Sequence, residues 1–335
     1  MAIFREGTMY RYVVKRILVG ALVLLITSII IYGLIRIMPG DFIQSTTAGN
    51  SRITAEMKAQ MIKSYGLDRS IVSGYLNWGG NLIQGDLGKS FLYKKPITDV
   101  IKSGAAVTLF ISIAALVIQL AVALFLGLHS GYYRNRLSTY ATNFLSVISI
   151  SIPVFFLGLL LQKFLAIDIG AFPLQGQVSL KQNYTGVMAF FDFAWHMALP
   201  ILTVAVSNMG STIKYIQANV EKISRTEYVL AAKARGVSSK NILWQEILPN
   251  VRVLLVSITF RELPFLMTGT LIIEQIFGLN GVGAMAFKAL LMGDVPFIMG
   301  FAMIVAFLIV TFSILEDVFY HMADPRIRIG GGAVK

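Results

Sequence analysis

Long apolar runs separated by polar connections set the organisation of this chain. Six runs are close to, or longer than, the roughly 20 residues with which a helix crosses a hydrocarbon core. They occupy Ile17–Ile35, Ala105–Leu128, Tyr140–Ile167, Trp195–Tyr215, Val253–Phe277 and Phe297–Tyr320. The pattern predicts an all-α integral membrane protein with six transmembrane helices, the first over 17–38 and the other five within a core over 105–320.

A polar segment over 39–104 separates the first two runs, and it is the only sizeable insertion outside the predicted spans. Its pattern predicts one helix over Thr54–Tyr65, ended by Gly66, and a second, amphipathic helix over Tyr75–Gln84. We therefore expect a large first loop that carries short helices of its own.

A second polar stretch, over 221–252, interrupts the apolar core. Arg225–Arg235 has helical spacing, and Gly236 stands where a left-handed C-terminal cap is needed. A further helical run, Lys240–Leu248, then meets Pro249. The first of these helices is a compact knob with small residues at its centre, which suits docking into a groove on a partner. The alternative is an ordinary amphipathic surface helix that joins two spans.

The composition places the chain in a bilayer. Of its 335 residues, 56% are hydrophobic and 14% are charged, and the mean hydropathy is +0.71, which is far too apolar for a soluble domain of this length. The net charge of +12 does not indicate nucleic-acid binding, because the cations lie mainly between apolar runs. Without cysteine there is no disulfide framework and no thiolate chemistry.

Cations in the short connections predict the orientation of the spans. The second and fourth connections are rich in them and the alternating connections are poor. We therefore place the segments 1–16, 221–252 and 321–335 in the cytoplasm, and 39–104 and 278–295 outside. The cations in and beside the two rich connections are Arg134, Arg136, Lys214, Lys222, Arg225, Lys233, Arg235, Lys240 and Arg252.

Polar residues inside the predicted spans are candidates for function. Ser146 and Ser149 share a face of the third span, which suits either a polar route for a substrate or close packing of helices. The fifth span carries Arg261, Glu262 and Glu274, and charge within a membrane is a functional hypothesis. We expect Arg261 and Glu262 to face a cavity or a partner, or else to bridge to another helix. Glu274 is expected near the outer interface.

Glycines break the chain after the fifth run. Gly278, Gly281 and Gly283 precede Ala284–Met292, which has the pattern of a half-helix. Since this helix is too short to span, it would lie along the outer surface or re-enter the membrane as a scoop.

The knob resembles the coupling loop of permease subunits in binding-protein-dependent ABC importers. The pattern AA-x3-G stands at Ala231, Ala232 and Gly236, and Leu248–Pro249 follows at the expected interval. The chain departs from the family pattern at two positions, with Leu230 in place of a glutamate and Glu246 in place of an aliphatic residue. The pair Glu227–Tyr228 is similar to the acidic-aromatic start of this loop in the oligopeptide and dipeptide branch.

Further motifs resemble the B-type permease subunit of the same branch, and together they cover nearly the whole chain. They are YGLD at 65–68, GDLGKS at 85–90, E-x-x-F-x-x-x-G-x-G at Glu274, Phe277, Gly281 and Gly283, D-x-P at Asp294 and Pro296, and DPR at 324–326.

The resemblance implies a type I ABC importer permease fold and a set of partners. The chain would pair with a similar but non-identical permease and with two cytoplasmic ATPase subunits, and an external solute-binding protein would deliver a peptide. ATP and Mg²⁺ would bind the ATPases, so this chain would bind no cofactor or metal and would not be an enzyme. It would lie, with both termini inside, in the cytoplasmic membrane of a bacterium or archaeon.

The resemblance and the polar residues within the spans together assign two groups of candidate functional residues. The residues expected to couple to the ATPase are Glu227, Tyr228, Ala231, Ala232, Gly236, Leu248 and Pro249. The residues expected along the translocation pathway or its gate are Arg261, Glu262, Glu274, Phe277, Gly281, Gly283, Asp294, Ser146 and Ser149.

Other functions stay open at this point. GDLGKS is not a Walker A loop, because the position five residues before Gly88, where that loop has glycine, is Ile83. An ion-coupled secondary carrier could use Glu262 or Glu274 as its titrating group. A membrane scaffold or receptor could use the knob to recruit a partner. Within the importer family, nickel-chelate or glutathione-like substrates are alternatives to longer peptides.

Overall fold

Helices make up most of the part of the chain that the computed structural model describes, which is residues 6–37, 70–134, 136–179, 184–264 and 270–323 together with Glu56, Ala59 and Lys63. In chain order they are α1 (Glu6–Ile37), α2 (Ile71–Ile83), α3 (Ile97–Tyr132), α4 (Leu137–Ser151), α5 (Val154–Leu161), α6 (Val187–Ile223), α7 (Glu227–Ala234), α8 (Leu248–Glu262), α9 (Leu271–Ile276), α10 (Val282–Leu291) and α11 (Val295–Ala323). Within these ranges, β-type pairing is confined to an isolated bridge between Lys89 and Pro96. The all-α prediction is confirmed.

Several helical stretches are long and apolar enough to cross a membrane by themselves. There are five of them among the described residues, at 11–34, 97–132, 187–223, 239–262 and 295–319. Of the two helices predicted in the first polar segment, the second is α2, which begins at Ile71 rather than Tyr75. The first, over Thr54–Tyr65, lies largely outside the described residues.

The third apolar run, predicted as a span over Tyr140–Ile167, is bent in the structure. α4 is bent by 106° relative to α5 and the π-helix Gln162–Asp168 that continues it. The break lies at Pro153, because proline lacks the N–H that a helix interior needs and disfavours helical geometry in the residue before it. Ile152 is accordingly extended, with φ −87° and ψ 122°. Counted as one span, the bent pair brings the number to six.

The fifth span starts and ends earlier than predicted. Its helix covers 239–262 and includes the π-helix Ile242–Ile247. Pro249 does not end this helix, because it lies in the first turn of α8, where a missing N–H is tolerated. Within the predicted run Val253–Phe277, α8 ends at Glu262 and the short helix α9 covers Leu271–Ile276. Residues 265–269 of this run lie outside the described residues.

The described chain forms two compact units. The first contains the residues up to Val107 and Asn280–Ile314. Its core brings α1, α2 and α11 together around Tyr32, which is 2% exposed. The Tyr32 ring stacks on Trp78 with 5.8 Å between the ring centroids. Aromatic pairs of this kind bury a large apolar area, so α2 is held on α1.

The second unit contains Thr108–Leu279 and, of the C-terminal part, the described residues 315–323. Its core joins α3, α6, α7 and α8 through Ala123, Ile213, Ile216, Val220, Val229, Ala232, Ile242, Ile247, Val251 and Ile258. Two glycines one turn apart on α3, Gly127 and Gly131, allow close approach to α6. A Cβ atom on Gly127 would lie 2.7 Å from Ile216 Cγ2, and one on Gly131 would lie 2.7 Å from Val220 Cβ. Small residues at this spacing bring helices close together in membranes.

Candidate functional site

α7 is a short helix set between two spanning helices, and its ends are well defined. Glu227 lies in its first turn and Lys233 in its last, so both charges complement the helix dipole. Gly236 has a φ of +78°, which confirms the predicted left-handed C-terminal cap. The Gly236 N–H donates to the Lys233 carbonyl at 3.0 Å. The helix therefore stops after two turns and remains a compact element.

One face of α7 is buried and the other is exposed. Val229 and Ala232 are 0% exposed and pack in the core of the second unit. Tyr228 and Leu230 are 45% and 51% exposed, and Ala231 is exposed as well. A partner can reach Tyr228, Leu230 and Ala231. The expectation that Ala232 belongs to the contact surface needs correction, because its methyl group faces the core of its own chain.

The other residues near α7 that were predicted to couple to the ATPase are likewise divided between exposed and buried positions. Glu227 and Pro249 are exposed, whereas Leu248 is 6% exposed and belongs to the core. Leu248 is therefore not available for contact with another subunit, whereas exposed positions such as Glu227 are.

Side-chain contacts fix α7 against its neighbours. The Asn250 side-chain amide donates to the Tyr228 hydroxyl at 3.2 Å and so joins α8 to α7. The Lys233 ammonium lies 5.1 Å from the centre of the Tyr132 ring at the end of α3, which is a cation–π contact. Since α7 is held on both sides, a force applied to its exposed face reaches α3 and α8.

The sequence did not reveal these supporting contacts. Arg134 was counted only for the orientation of the spans, but its guanidinium forms an ion pair with Glu221 near the end of α6. Glu221 also pairs with Arg225 at 3.1 Å. One feature of the sequence could have indicated contacts at this place. Two adjacent tyrosines, Tyr132 and Tyr133, end α3 and are followed directly by a basic connection.

Asp294 is buried and serves as a hydrogen-bond acceptor for a distant segment. It is 2% exposed. Its Oδ2 atom accepts the Ser90 hydroxyl at 2.5 Å and the Leu92 N–H at 3.0 Å, and its Oδ1 atom accepts the Phe297 N–H at 3.3 Å. The motifs GDLGKS and D-x-P, which lie far apart in the sequence, are therefore in contact. In this structure Asp294 fixes the loop that contains Ser90 and Leu92, and its assignment to the translocation pathway or its gate stays a prediction.

Tyr93 reinforces the same contact. Its hydroxyl donates to the Met285 carbonyl of α10 at 3.1 Å. Burial, together with the negative charge of Asp294, raises the pKa of Tyr93 to about 12, so the phenol stays neutral and remains a donor at neutral pH. The segment that follows Gly88 is thereby attached to both α10 and the start of α11.

Glu274 is buried in the core of the second unit, and its expected position near the outer interface of the membrane stays a prediction. It is 0% exposed, and its Oε1 atom accepts hydroxyl hydrogen bonds from Thr108 at 2.8 Å and Thr270 at 2.7 Å. Phe277, one turn further on, is 2% exposed, and its carbonyl accepts the Gly176 N–H at 2.9 Å. Both residues have structural contacts in this conformation.

The predicted half-helix after the glycines is α10, which begins at Val282 and ends at Leu291. Gly281 and Gly283 frame its first residue. A Cβ atom on Gly104 of α3 would lie 2.9 Å from the Gly281 carbonyl carbon, so the start of α10 lies against the backbone of α3. Glycine at position 104 permits this close packing in the first unit.

Ser146 and Ser149 are buried in the contact between α4 and α6. The Ser146 hydroxyl donates to the Thr142 carbonyl at 2.8 Å within its own helix. The Ser149 hydroxyl donates to the Val206 carbonyl at 2.5 Å and accepts the Gly210 N–H at 2.9 Å. Of the two alternatives for this face, the structure therefore has close packing of helices, and neither serine lines an open passage here.

Arg261 and Glu262 do not pair with each other. Arg261 is exposed, and its guanidinium carbon lies 5.5 Å from the centre of the Tyr215 ring of α6. Glu262 is half-buried on the next face of the helix, as expected for adjacent helical residues. Within the described ranges, no group of three or more histidine, cysteine, aspartate or glutamate residues could hold a metal ion.

Comparisons with known proteins agree on one family. The family described as "Binding-protein-dependent transport system inner membrane component" matches residues 119–329, and the corresponding N-terminal family matches residues 9–114. The chain is 28% identical over 321 residues to an oligopeptide transport system permease protein of Bacillus subtilis, covering 96% of this chain and 100% of that protein. It is 24% identical over 322 residues to a dipeptide transport system permease protein of Lactococcus lactis, with 96% and 100% covered.

Proposed function

This chain belongs to the family of inner membrane components of binding-protein-dependent transport systems, and from that premise we propose that it forms half of the membrane pathway of an ATP-driven peptide importer. It is a multi-pass permease subunit that works with partner subunits. The names of its relatives, which are an oligopeptide and a dipeptide permease protein, support a peptide as the substrate. In this role the chain supplies the pathway, and ATP and Mg²⁺ bind to separate ATPase subunits.

The observation that carries the proposal is the two-sided build of α7. Tyr228, Leu230 and Ala231 present an exposed face of apolar and aromatic character, which suits a groove on a partner. Val229 and Ala232 anchor the opposite face in a core shared with α3, α6 and α8. Movement of a partner that grips the exposed face is therefore passed to three helices at once.

In the mechanism that we propose, α7 transmits the movement of the ATPase subunits to the membrane helices. Closure of two ATPase subunits around ATP displaces α7 of this chain and the matching helix of a second, similar permease. Because packed helices shift as rigid bodies between discrete arrangements, this displacement favours the outward-open form over the inward-open form. An external solute-binding protein delivers the peptide to the outward-open form.

The proposed orientation places α7 in the cytoplasm of a bacterium or archaeon. The connections around Arg134 and around α7 carry the excess of cations, which is the side that stays inside. Glu227, Tyr228, Ala231, Gly236 and Pro249 then face the ATPase or lie beside the residues that do.

Reconstitution tests this function. The chain is co-expressed with its genomic permease, ATPase and binding-protein neighbours, and the complex is inserted into liposomes loaded with ATP and Mg²⁺. We expect uptake of radiolabelled trialanine that requires ATP hydrolysis and the binding protein, and that persists when a protonophore collapses the proton gradient. A complex without this chain is the control.

Two results would contradict the proposal. Uptake that a protonophore abolishes and that continues without ATP would indicate an ion-coupled carrier. A purified chain that retains no ATPase and no second permease under conditions that preserve membrane complexes would indicate a scaffold or receptor.

A further inference from the structure

Both ends of α7 are linked to the place where α3 ends and its connection to α4 begins. The Lys233 ammonium, in the last turn of α7, lies 5.1 Å from the centre of the Tyr132 ring. Ahead of the first turn, the Arg225 guanidinium donates to the Glu221 carboxylate at 3.1 Å, and the same carboxylate forms an ion pair with Arg134. Since Tyr132 and Arg134 are close together in the chain, α7 is tied to this place at two points.

Glu221 is the centre of the second of these links. Its Oε1 atom is the acceptor for both guanidinium groups. Within the described ranges, no other carboxylate lies within 4 Å of Arg134 or Arg225. A lone exposed ion pair contributes little to stability, but here one carboxylate lies between two cations. Neutralising Glu221 would remove two charge-assisted contacts and leave two positive side chains that repel each other.

The connection that carries Arg134 is in turn fixed to the start of α4. The Thr139 hydroxyl donates to the Tyr133 carbonyl. The Ser138 hydroxyl lies 2.9 Å from Nε2 of His129, near the end of α3. α4 then packs along α6, to whose backbone it is hydrogen-bonded. A displacement at Arg134 is therefore passed to α4.

This route reaches a helix that the buried core around α7 does not include. That core joins α7 to α3, α6 and α8, and none of its residues in the described part of the chain belongs to α4. α4 is the first half of the span that is bent by 106°. The ion pairs of Glu221 therefore connect α7 to the bent span, in addition to the three helices that the core already joins to it.

The ion pairs of Glu221 respond to salt, whereas the buried core does not depend on charge. The side chains of Arg134, Glu221 and Arg225 are 41%, 42% and 67% exposed. Dissolved ions screen charges that are this exposed, and the Debye length falls from about 10 Å at 0.1 M salt to about 3 Å at 1 M. Val229 and Ala232 are 0% exposed and apolar. High salt on the side of α7 therefore loosens the connection to α4 and leaves the core contacts in place.

We propose that Glu221 is a positioning residue that couples α7 to α4, by holding Arg225 ahead of α7 and Arg134 in the connection that follows α3. The inference rests on the proposed ATP-driven import and assigns one more residue to the transmission of movement. With Glu221 in place, displacement of α7 moves α4 together with α3, α6 and α8. Without Glu221, α7 still moves with its core but α4 follows less completely, so ATP hydrolysis continues while fewer peptides are transported for each ATP.

The ratio of trialanine imported to ATP hydrolysed tests this role. It is measured for the complete complex with its binding protein, in liposomes loaded with ATP and Mg²⁺. In Glu221→Gln we expect the ratio to fall at least about threefold, because the two arginines repel each other, while the rate of ATP hydrolysis stays within about twofold of wild type. The wild-type ratio is expected to fall at least about twofold when KCl inside the liposomes is raised from about 0.1 M to about 0.5 M, with sucrose outside to match the osmotic pressure. The ratio of Glu221→Gln should not change with salt.

Two matched controls and a rescue accompany this measurement. Glu246→Gln removes a carboxylate from the same polar stretch, and Arg136→Gln removes a cation from the same connection, where it rests on an aromatic ring. Both should keep the wild-type ratio and its dependence on salt, because within the described ranges neither residue forms an ion pair with the Glu221 cluster. The triple variant Arg134→Glu, Glu221→Arg and Arg225→Glu inverts all three charges. It should restore the ratio to within about twofold of wild type, since opposite charges again lie together.

A wild-type ratio that does not change with salt would overturn the inference without any variant. A wild-type ratio in Glu221→Gln would do so as well, as would an equal fall with salt in both proteins. A triple variant that assembles but keeps the low ratio of Glu221→Gln would also contradict it. Failure of the proposed function is a separate result, because the wild-type complex would then import no trialanine with ATP at any salt concentration.

Discussion

Asp294 shows how a single buried carboxylate organises distant parts of this chain. Its motif was recognisable in the sequence, and the resemblance of that motif to the oligopeptide branch implied a place along the pathway or its gate. Its partner Ser90 lies in another polar segment, and no spacing rule connects two residues so far apart. The pairing could be found only in the folded chain, where Asp294 anchors the loop that contains Ser90 and Leu92.

Replacement of Asp294 by alanine should loosen the segment around Leu92. The Ser90 hydroxyl and the Leu92 N–H would lose their acceptor, and hydrogen bonds to a charged group are worth about 1.5–3 kcal/mol each. We expect amide hydrogen exchange at Leu92 to accelerate at least tenfold, since 1.4 kcal/mol corresponds to a factor of 10. Exchange is measured by mass spectrometry on the detergent-solubilised protein.

Asp99→Ala is the control for this measurement, because Asp99 is exposed in the first turn of α3. That change should leave the exchange of Leu92 within about twofold of wild type, since a surface charge at a helix terminus is worth only about 0.3–1 kcal/mol. Wild-type protection at Leu92 in the Asp294→Ala protein would show that the carboxylate does not hold the segment.

At the scale of the helix, hydropathy located the spans but not their interruptions. The apolar runs were long enough to predict membrane helices, and each described span overlaps its run. The bend at Pro153 was not predicted, because apolar residues continue across it and the average hydropathy does not change there. Proline chemistry was the available signal. The π-helix before Pro249 has no such signal in the sequence.

α7 offers a comparison between two neighbouring alanines. Ala232 is buried in the core, so Ala232→Leu should lower the free energy of unfolding by about 1–3 kcal/mol through overpacking. Ala231 is exposed, so Ala231→Leu should change stability by no more than about 0.5 kcal/mol but reduce ATP-driven uptake. Thermal unfolding in detergent and uptake by proteoliposomes separate the two effects. Equal destabilisation by both changes would mean that α7 does not have the buried and exposed faces described above.

The contact between α3 and α6 depends on glycine at the end of α3. A Cβ atom on Gly131 would lie 2.7 Å from Val220 Cβ and 2.8 Å from the Gln217 carbonyl oxygen, so the two helices would have to move apart. Gly131→Val should lower the free energy of unfolding by about 1–3 kcal/mol. Gly33→Val in α1 is the control, because a Cβ atom there meets nothing within 4 Å. Thermal unfolding of both variants is the measurement, and equal melting temperatures would contradict this packing.

At the scale of the whole molecule, charge and hydropathy together support one arrangement in the membrane. The excess of cations in two connections and the compact helix α7 lie on what we propose to be the same side. The apolar spans could be predicted because their signal is local and repeated. The two-sided character of α7 could not, because burial of Ala232 depends on residues of three other helices.

A single introduced cysteine tests the central claim most directly, since the chain contains no cysteine of its own. Ala231→Cys and Ala232→Cys proteins are assembled with their partners and treated with a membrane-impermeant maleimide cross-linker on intact cells or inverted vesicles. We expect residue 231 to cross-link to an ATPase subunit in inverted vesicles only, and residue 232 to remain unmodified. Labelling of residue 231 on intact cells, or a complex in which no ATPase is cross-linked from it, would contradict the account.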